Sequence, residues 1–227
     1  FTGSTTVGKK VMEAASANLI PVSLELGGKS PVIIHKSADV DLAAKRIVFG
    51  KFINAGQTCI APDYLLVHHS VRDRLIDEIQ GYIQRFFGKN PANSPEYPRI
   101  INSRHLERLV GLMSGTTLIC GGDYDPETLF LSPTLVGDVD GSHPVMQEEI
   151  FGPILPVIPY DGIAEAIDMV NSRPRPLALY LFTGDPRTAE TVLKRVSFGG
   201  GCVNDTLIHF ATPYLPFGGV GNSGMGS

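Results

Sequence analysis

Cys59 stands in the most chemically suggestive surroundings of the three cysteines in this sequence. The run Gly56-Gln57-Thr58-Cys59-Ile60-Ala61-Pro62 places it just past a helix expected to end near Asn54, in a loop of small and polar residues. Such a loop suits a reachable thiolate, although local sequence alone also allows an inert thiol. Cys120 and Cys202 lie in strand-like runs and read as small buried hydrophobes. Glu25 ends a strand in Leu24-Glu25-Leu26-Gly27-Gly28-Lys29-Ser30-Pro31. A solvated surface carboxylate is the ordinary reading, but a strand end before a Gly-Gly turn is where α/β sheets place functional groups. Gly3-Ser4-Thr5-Thr6-Val7-Gly8 sits where a strand would pass into a helix, so its backbone N–H groups could approach a phosphate. It is not G-x-G-x-x-G, and a glycine-rich helix start without a ligand fits equally. Gln147-Glu148-Glu149-Ile150-Phe151-Gly152-Pro153 sets a carboxylate beside an aromatic ring before a strand, or else forms a surface turn. The six histidines form no H-x-x-x-H pair and the cysteines no C-x-x-C pair, so no metal site is expected.

The elements that must hold these residues alternate in period. Apolar spacing switches repeatedly between 2 and 3.6, which predicts an α/β fold with a mostly parallel twisted sheet and flanking helices. Helices are expected at about 7–17, 40–54 (capped by Ser37 or Asp39), 71–87, 103–114 (capped by Ser103), 163–172 and 187–197. Strands are expected at about 22–26, 31–34, 64–67, 117–120, 129–136, 154–159, 177–183 and 201–204. Residues 89–98, with three prolines and two asparagines, read as a surface loop.

Composition bounds the function. A chain of 227 residues predicts one or two domains. A net charge of −4 with no basic cluster argues against nucleic-acid binding. Hydrophobic content of 43% with 19% charged residues is globular. The longest apolar run, Leu177 to Phe182, is too short to span a bilayer. An odd number of well-separated cysteines points to a reducing compartment, hence a cytoplasmic protein. The 25 glycines and 17 prolines exceed the roughly 12% that average usage gives the pair, as loop-built active sites require. The chain opens on Phe1 and closes on a glycine-rich run from Gly218, which reads as a piece of a longer polypeptide.

Taken in order, Phe1-Thr2-Gly3-Ser4, Leu24-Glu25-Leu26-Gly27-Gly28-Lys29, Gly56-Gln57-Thr58-Cys59, Glu148-Glu149-Ile150-Phe151-Gly152-Pro153 and Pro216-Phe217-Gly218-Gly219 closely resemble the NAD(P)-dependent aldehyde dehydrogenase superfamily. Asn171-Ser172-Arg173-Pro174-Arg175-Pro176-Leu177-Ala178-Leu179-Tyr180 and Gly219-Val220-Gly221-Asn222-Ser223-Gly224-Met225-Gly226 resemble its class 3 branch, which includes fatty-aldehyde enzymes. The resemblance runs from Phe1 to Ser227. It implies that residues 1–26 are the C-terminal remnant of a Rossmann-like dinucleotide-binding domain and residues 27–227 the catalytic domain.

By the same resemblance, Cys59 would be the nucleophile, forming a thiohemiacetal and then a thioester, and Glu25 the base that activates water. The Cys59 N–H would stabilise the oxyanion, helped in the family by an asparagine from upstream sequence. Gly3, Ser4, Thr5 and Gly8 would lie against the pyrophosphate of NAD or NADP, with Ser4 the phosphate contact. Leu26 would border the nicotinamide, Glu149 would hold its ribose hydroxyls and Phe151 would pack beside the ring. Family members that pass the acyl group to coenzyme A generally lack a glutamate at the Glu25 position, so hydrolysis to the free acid is expected. The implied partners are a small-molecule aldehyde and, for the full-length protein, further copies of itself. The competing readings are an inactive truncated fragment and a non-catalytic structural relative.

Overall fold

Strands buried on both faces form the centre of the molecule. β3 (Pro31–Ile34), β4 (Tyr64–His68) and β10 (Ala178–Phe182) are buried along their whole length. Such strands have no solvent side, so they read as nearly continuous apolar runs without alternation. The structure, a computed structural model, describes residues 1–226; Ser227, the last residue of the expected catalytic domain, lies outside the described residues. Among those residues, seven strands form the main sheet, in the order β11-β10-β3-β4-β9-β8-β5. Here β5 is Thr117–Cys120, β8 Thr134–Gly137, β9 Ile154–Tyr160 and β11 Gly200–Val203. Every pairing is parallel except β5 on β8, in agreement with the mostly parallel sheet read from the sequence.

The flanking helices are α2 (Val40–Phe52), α3 (His69–Phe87), α4 (Ser103–Leu112), α5 (Pro144–Gln147), α6 (Ile163–Asn171) and α7 (Pro186–Arg195). Their starts are chemically marked. Asp39 caps α2 by accepting from the Leu42 N–H at 3.2 Å, and Asp185 caps α7 from the Arg187 N–H at 3.0 Å. α2 and α3 pack together, and the Tyr82 hydroxyl ties them by donating to Asp41 at 2.8 Å.

A second, three-stranded sheet stands apart, with order β1-β2-β12. β1 (Thr2–Gly3) runs parallel to β2 (Leu24–Leu26), and β12 (Gly224–Met225) pairs antiparallel on the other side of β2. α1 (Thr5–Ser16) crosses between β1 and β2. Its Gly8 is buried, and a Cβ there would lie 2.6 Å from a methyl of Leu26. Only glycine lets the helix settle on that strand.

Two sequence expectations shift for identifiable reasons. α4 is capped by Asn102, whose side chain accepts from the His105 N–H at 3.0 Å, and Ser103 becomes the first helical residue. The strand expected over 129–136 breaks at Pro133, which has no N–H for a ladder. Phe130–Leu131 (β7) instead forms a hairpin with Tyr124–Asp125 (β6), while β8 joins the main sheet.

Candidate active site

The loops that enter β3, β4, β9 and β10 all lie at the amino ends of these parallel strands. They carry Gly27–Lys29, Gln57–Asp63, Glu148–Phe151 and Arg173–Arg175 in turn. Between them and the small sheet opens a cleft of about 1280 Å³. Open α/β sheets generally bind ligands at the carboxyl ends, so here the edge is reversed. Glu25 also differs from its expected place. It sits in the middle of β2, flanked by Thr2 on β1 and Gly224 on β12, and faces the main sheet from the second one.

Cys59 is half-buried in a loop pinned from several sides. The Gln57 side chain donates to the carbonyls of Asn54 (3.3 Å) and Arg99 (3.0 Å) and accepts from the Ile101 N–H at 3.0 Å. From beneath, the buried Tyr180 hydroxyl donates to the Ile60 carbonyl at 2.6 Å. Gly56 has φ +73°, and a Cβ there would lie 2.1 Å from the carbonyl oxygen of Gly152. That contact brings the cysteine loop against the Glu149–Gly152 turn.

Burial pushes the Cys59 thiol above its ordinary value, and the charges of Glu149 and Glu25 add to the effect. The N–H groups of Cys59 and Ile60 donate to the sulfur and pull it partly back. These influences together favour the thiol over the thiolate. Alkylation of Cys59 by iodoacetamide, followed by peptide mapping, is expected to accelerate with pH and to be still rising at 9.0, the ordinary thiol value. A plateau near neutral pH would contradict this.

Glu149 lies over the Gly27-Gly28 turn and accepts from the Gly28 N–H. A Cβ on Gly27 would meet its Oε2 at 1.8 Å, so the Gly-Gly pair makes room for this carboxyl. Burial raises Glu149 to about 8, with the Asp63 charge as the next contributor. Phe151 takes φ +47° and stays exposed at 40%, a strained backbone that turns its ring outward. Three cations hold this turn. Arg108 of α4 donates to Glu148 Oε1 (2.8 Å) and to the Ile150 carbonyl (2.6 Å). Arg173 donates to the Met146 carbonyl at 2.6 Å. Lys29 donates to the carbonyls of Val145 (2.8 Å) and Glu148 (2.9 Å) while pairing with Asp63.

On the opposite wall, Gly3, Ser4 and Thr5 line the cleft at the amino end of α1. Ser4 caps the helix by accepting from the Val7 N–H at 3.4 Å, which leaves its hydroxyl hydrogen free to donate. The cleft thus gathers Gly3, Ser4, Thr5, Glu25 and Leu26 with Cys59, Glu149 and Phe151. Gly8 does not line it and serves the packing of α1 on Leu26. Among the described residues no cluster with metal-ligand character occurs and no helix is long and apolar enough to cross a membrane.

The sequence reading missed Asp63, Lys51, Arg108 and Arg173. For Lys51 a signal existed. It falls on the α2 face of Ala44, Ile47 and Val48, where a helical core expects an apolar residue, and it is 1% exposed.

A half-buried thiol and a carboxylate thus line one cleft, with the amino end of a helix on its wall. The chain belongs to the aldehyde dehydrogenase family, whose model matches residues 1–227. It is 52% identical to the 4,4'-diaponeurosporen-aldehyde dehydrogenase of Staphylococcus aureus, covering 100% of this chain and 50% of that protein. It is 48% identical to aldehyde dehydrogenase family 3 member A2 of Rattus norvegicus, covering 100% of this chain and 47% of the relative. A solved structure described as the substrate-bound state of Staphylococcus aureus AldH superposes with a TM-score of 0.98 at 51% identity, over all of this chain and 50% of that one. The chain spans about half the length of the curated relatives it matches.

Proposed function

We propose that these residues are the thiol-bearing part of an NAD(P)-dependent enzyme that oxidises an aldehyde to a carboxylic acid. The observation that carries this reading is the meeting in one cleft of Glu25, from a strand of the small sheet, with Cys59 and Glu149, from two loops of the main sheet. Cys59 loses its proton and its sulfur attacks the aldehyde carbon, forming a C–S bond and a thiohemiacetal. The Cys59 N–H lies beside the sulfur, placed to donate to the developing oxyanion. A nicotinamide cofactor bound in this cleft would supply the acceptor for the hydride of that carbon. A thioester on Cys59 remains. Glu25 then accepts a proton from water, the water oxygen attacks the thioester carbon, and the acid leaves as the C–S bond breaks.

The cofactor fits the residues present. The amino end of α1 offers unpaired N–H groups and the Ser4 hydroxyl to a pyrophosphate. In this reading Glu149 holds the ribose hydroxyls, and Leu26 and Phe151 lie beside the nicotinamide; that all three line the one cleft supports it. The change of sheet between β2 and β3 supports a boundary at Gly27, with residues 1–26 belonging to a dinucleotide-binding domain and the residues from 27 onward to the catalytic one, whose last described strand, β12, returns to the small sheet.

The finer assignment, a class 3-like enzyme of medium or long aliphatic or aromatic aldehydes, rests on the resemblance and on the family 3 member A2 relatives at 47–49% identity. A homo-oligomeric intact protein and a cytoplasmic location belong to the same reading; free thiols at all three cysteines accord with a reducing compartment. Incubating the intact protein with an aliphatic aldehyde and NAD+ or NADP+ tests the outcome of the reaction. Free acid should form without coenzyme A. A strict requirement for coenzyme A would overturn the hydrolytic role of Glu25.

A further inference from the structure

Beneath the cleft, four charged side chains from three loops and one helix act on one another's charge, and two of them, Lys29 and Asp63, form an ion pair. They are Lys29 before β3, Lys51 in the last turn of α2, Asp63 before β4 and Glu149 before β9. Lys51 and Asp63 are 1% and 3% exposed. Asp63 is the hub. One of its oxygens pairs with the Lys29 ammonium, and the other accepts from the Ile150 N–H at 2.9 Å. Through Lys29 the same carboxylate is tied to the carbonyls of Val145 and Glu148. The segment that presents Glu149 is therefore fastened on both sides of that residue by one buried ion pair.

We propose that Asp63 is a positioning residue for cofactor binding, which fixes the place of the Glu149 carboxyl from below, and that the buried Lys51 ammonium counterbalances it. This rests on the reading of Glu149 as the ribose ligand. The charges act in opposite senses. Asp63 disfavours the carboxylate form of Glu149, whereas Lys29, Lys51 and the Gly28 N–H favour it. Lys51 is itself held down to about 8 by burial, against the attraction of Asp63 and Glu149. Burying a lone charge is costly, so the four groups hold their charges only as a set. The other charged or titratable groups lining the cleft around Glu149 are Glu148 on the turn, His105 and Arg108 of α4, Arg173 and Arg175 before β10, and Cys59 and Glu25. They stay constant in the variants below.

A carboxylate accepts from two ribose hydroxyls at once, which a neutral carboxyl does less well. The affinity of the intact protein for NAD+ or NADP+, measured by calorimetry across pH, should therefore rise through the titration of Glu149. Asp63→Asn keeps an oxygen for the Ile150 N–H but removes the negative charge. It should move that limb to lower pH by ~1 unit. Lys51→Met keeps the bulk and removes the cation, so it should move the limb upward by ~1 unit. Opposed shifts support the proposal, and a purely structural role would lower stability without them. If Asp63→Asn does not fold, the direction of the Lys51→Met shift decides alone. Glu149→Gln separates the two levels of inference. A limb that survives in Glu149→Gln would overturn the ribose-ligand reading and this proposal with it. A limb lost in Glu149→Gln but unmoved, or moved the same way, in the other variants would overturn only this proposal.

Discussion

Replacing Cys59 with alanine is expected to lower aldehyde oxidation by the intact protein about 10⁴-fold or more while leaving the fold in place. The chemistry depends on sulfur because the acyl group is carried on it, and no neighbour can take over. Cys120 ends β5 on the far side of the main sheet's strand order, and Cys202 lies on β11 at the other edge. Cys59 is half-buried in a loop whose anchors are Gln57, Gly56 and Tyr180 rather than the thiol itself. Its loss removes one sulfur atom from a cleft wall, so the melting temperature and cofactor affinity should change little. Residual turnover within tenfold of the parent would mean that the thiol is not the acyl carrier.

Glu25→Gln should separate the two halves of the reaction. Glutamine keeps the shape of the side chain in β2 but cannot take a proton from water. The steps before thioester formation consume no water, so one equivalent of NADH or NADPH per site should still appear in a rapid burst. Steady-state turnover should then fall by about 10²–10⁴-fold, the range for losing a general base. The backbone of β2, paired on both sides by β1 and β12, holds position 25 whichever side chain it bears. Loss of the burst in Glu25→Gln would give Glu25 an earlier role, such as removing the proton from the resting Cys59 thiol.

Much of this site was legible because its residues sit in short motifs. Glu25, Cys59, Glu149 and Phe151 each stood beside glycines whose purpose the structure supplies. Gly27 clears space for Glu149, and Gly56 lets the cysteine loop touch Gly152. The buried strands were equally plain, since β3, β4 and β10 lack a polar face. What stayed hidden was long-range. The two-residue strands β1 and β12 are too short for any alternation to show, and they pair with β2 from opposite ends of the chain. The clamp of Lys29, Asp63, Arg108 and Arg173 joins residues far apart in sequence, and each alone reads as an ordinary surface charge. Gly8 shows the converse, a motif glycine whose observed work is packing.

The proposed chemistry has Cys59 carry the acyl group and Glu25 release it. Its most direct test is the mass of the protein in mid-reaction. Intact Glu25→Gln protein mixed with excess aldehyde and cofactor, acid-quenched after the burst, should gain the mass of one acyl group per chain, mapped to the peptide that contains Cys59. An unmodified chain at that point, or an acyl group on any other residue, would contradict the account.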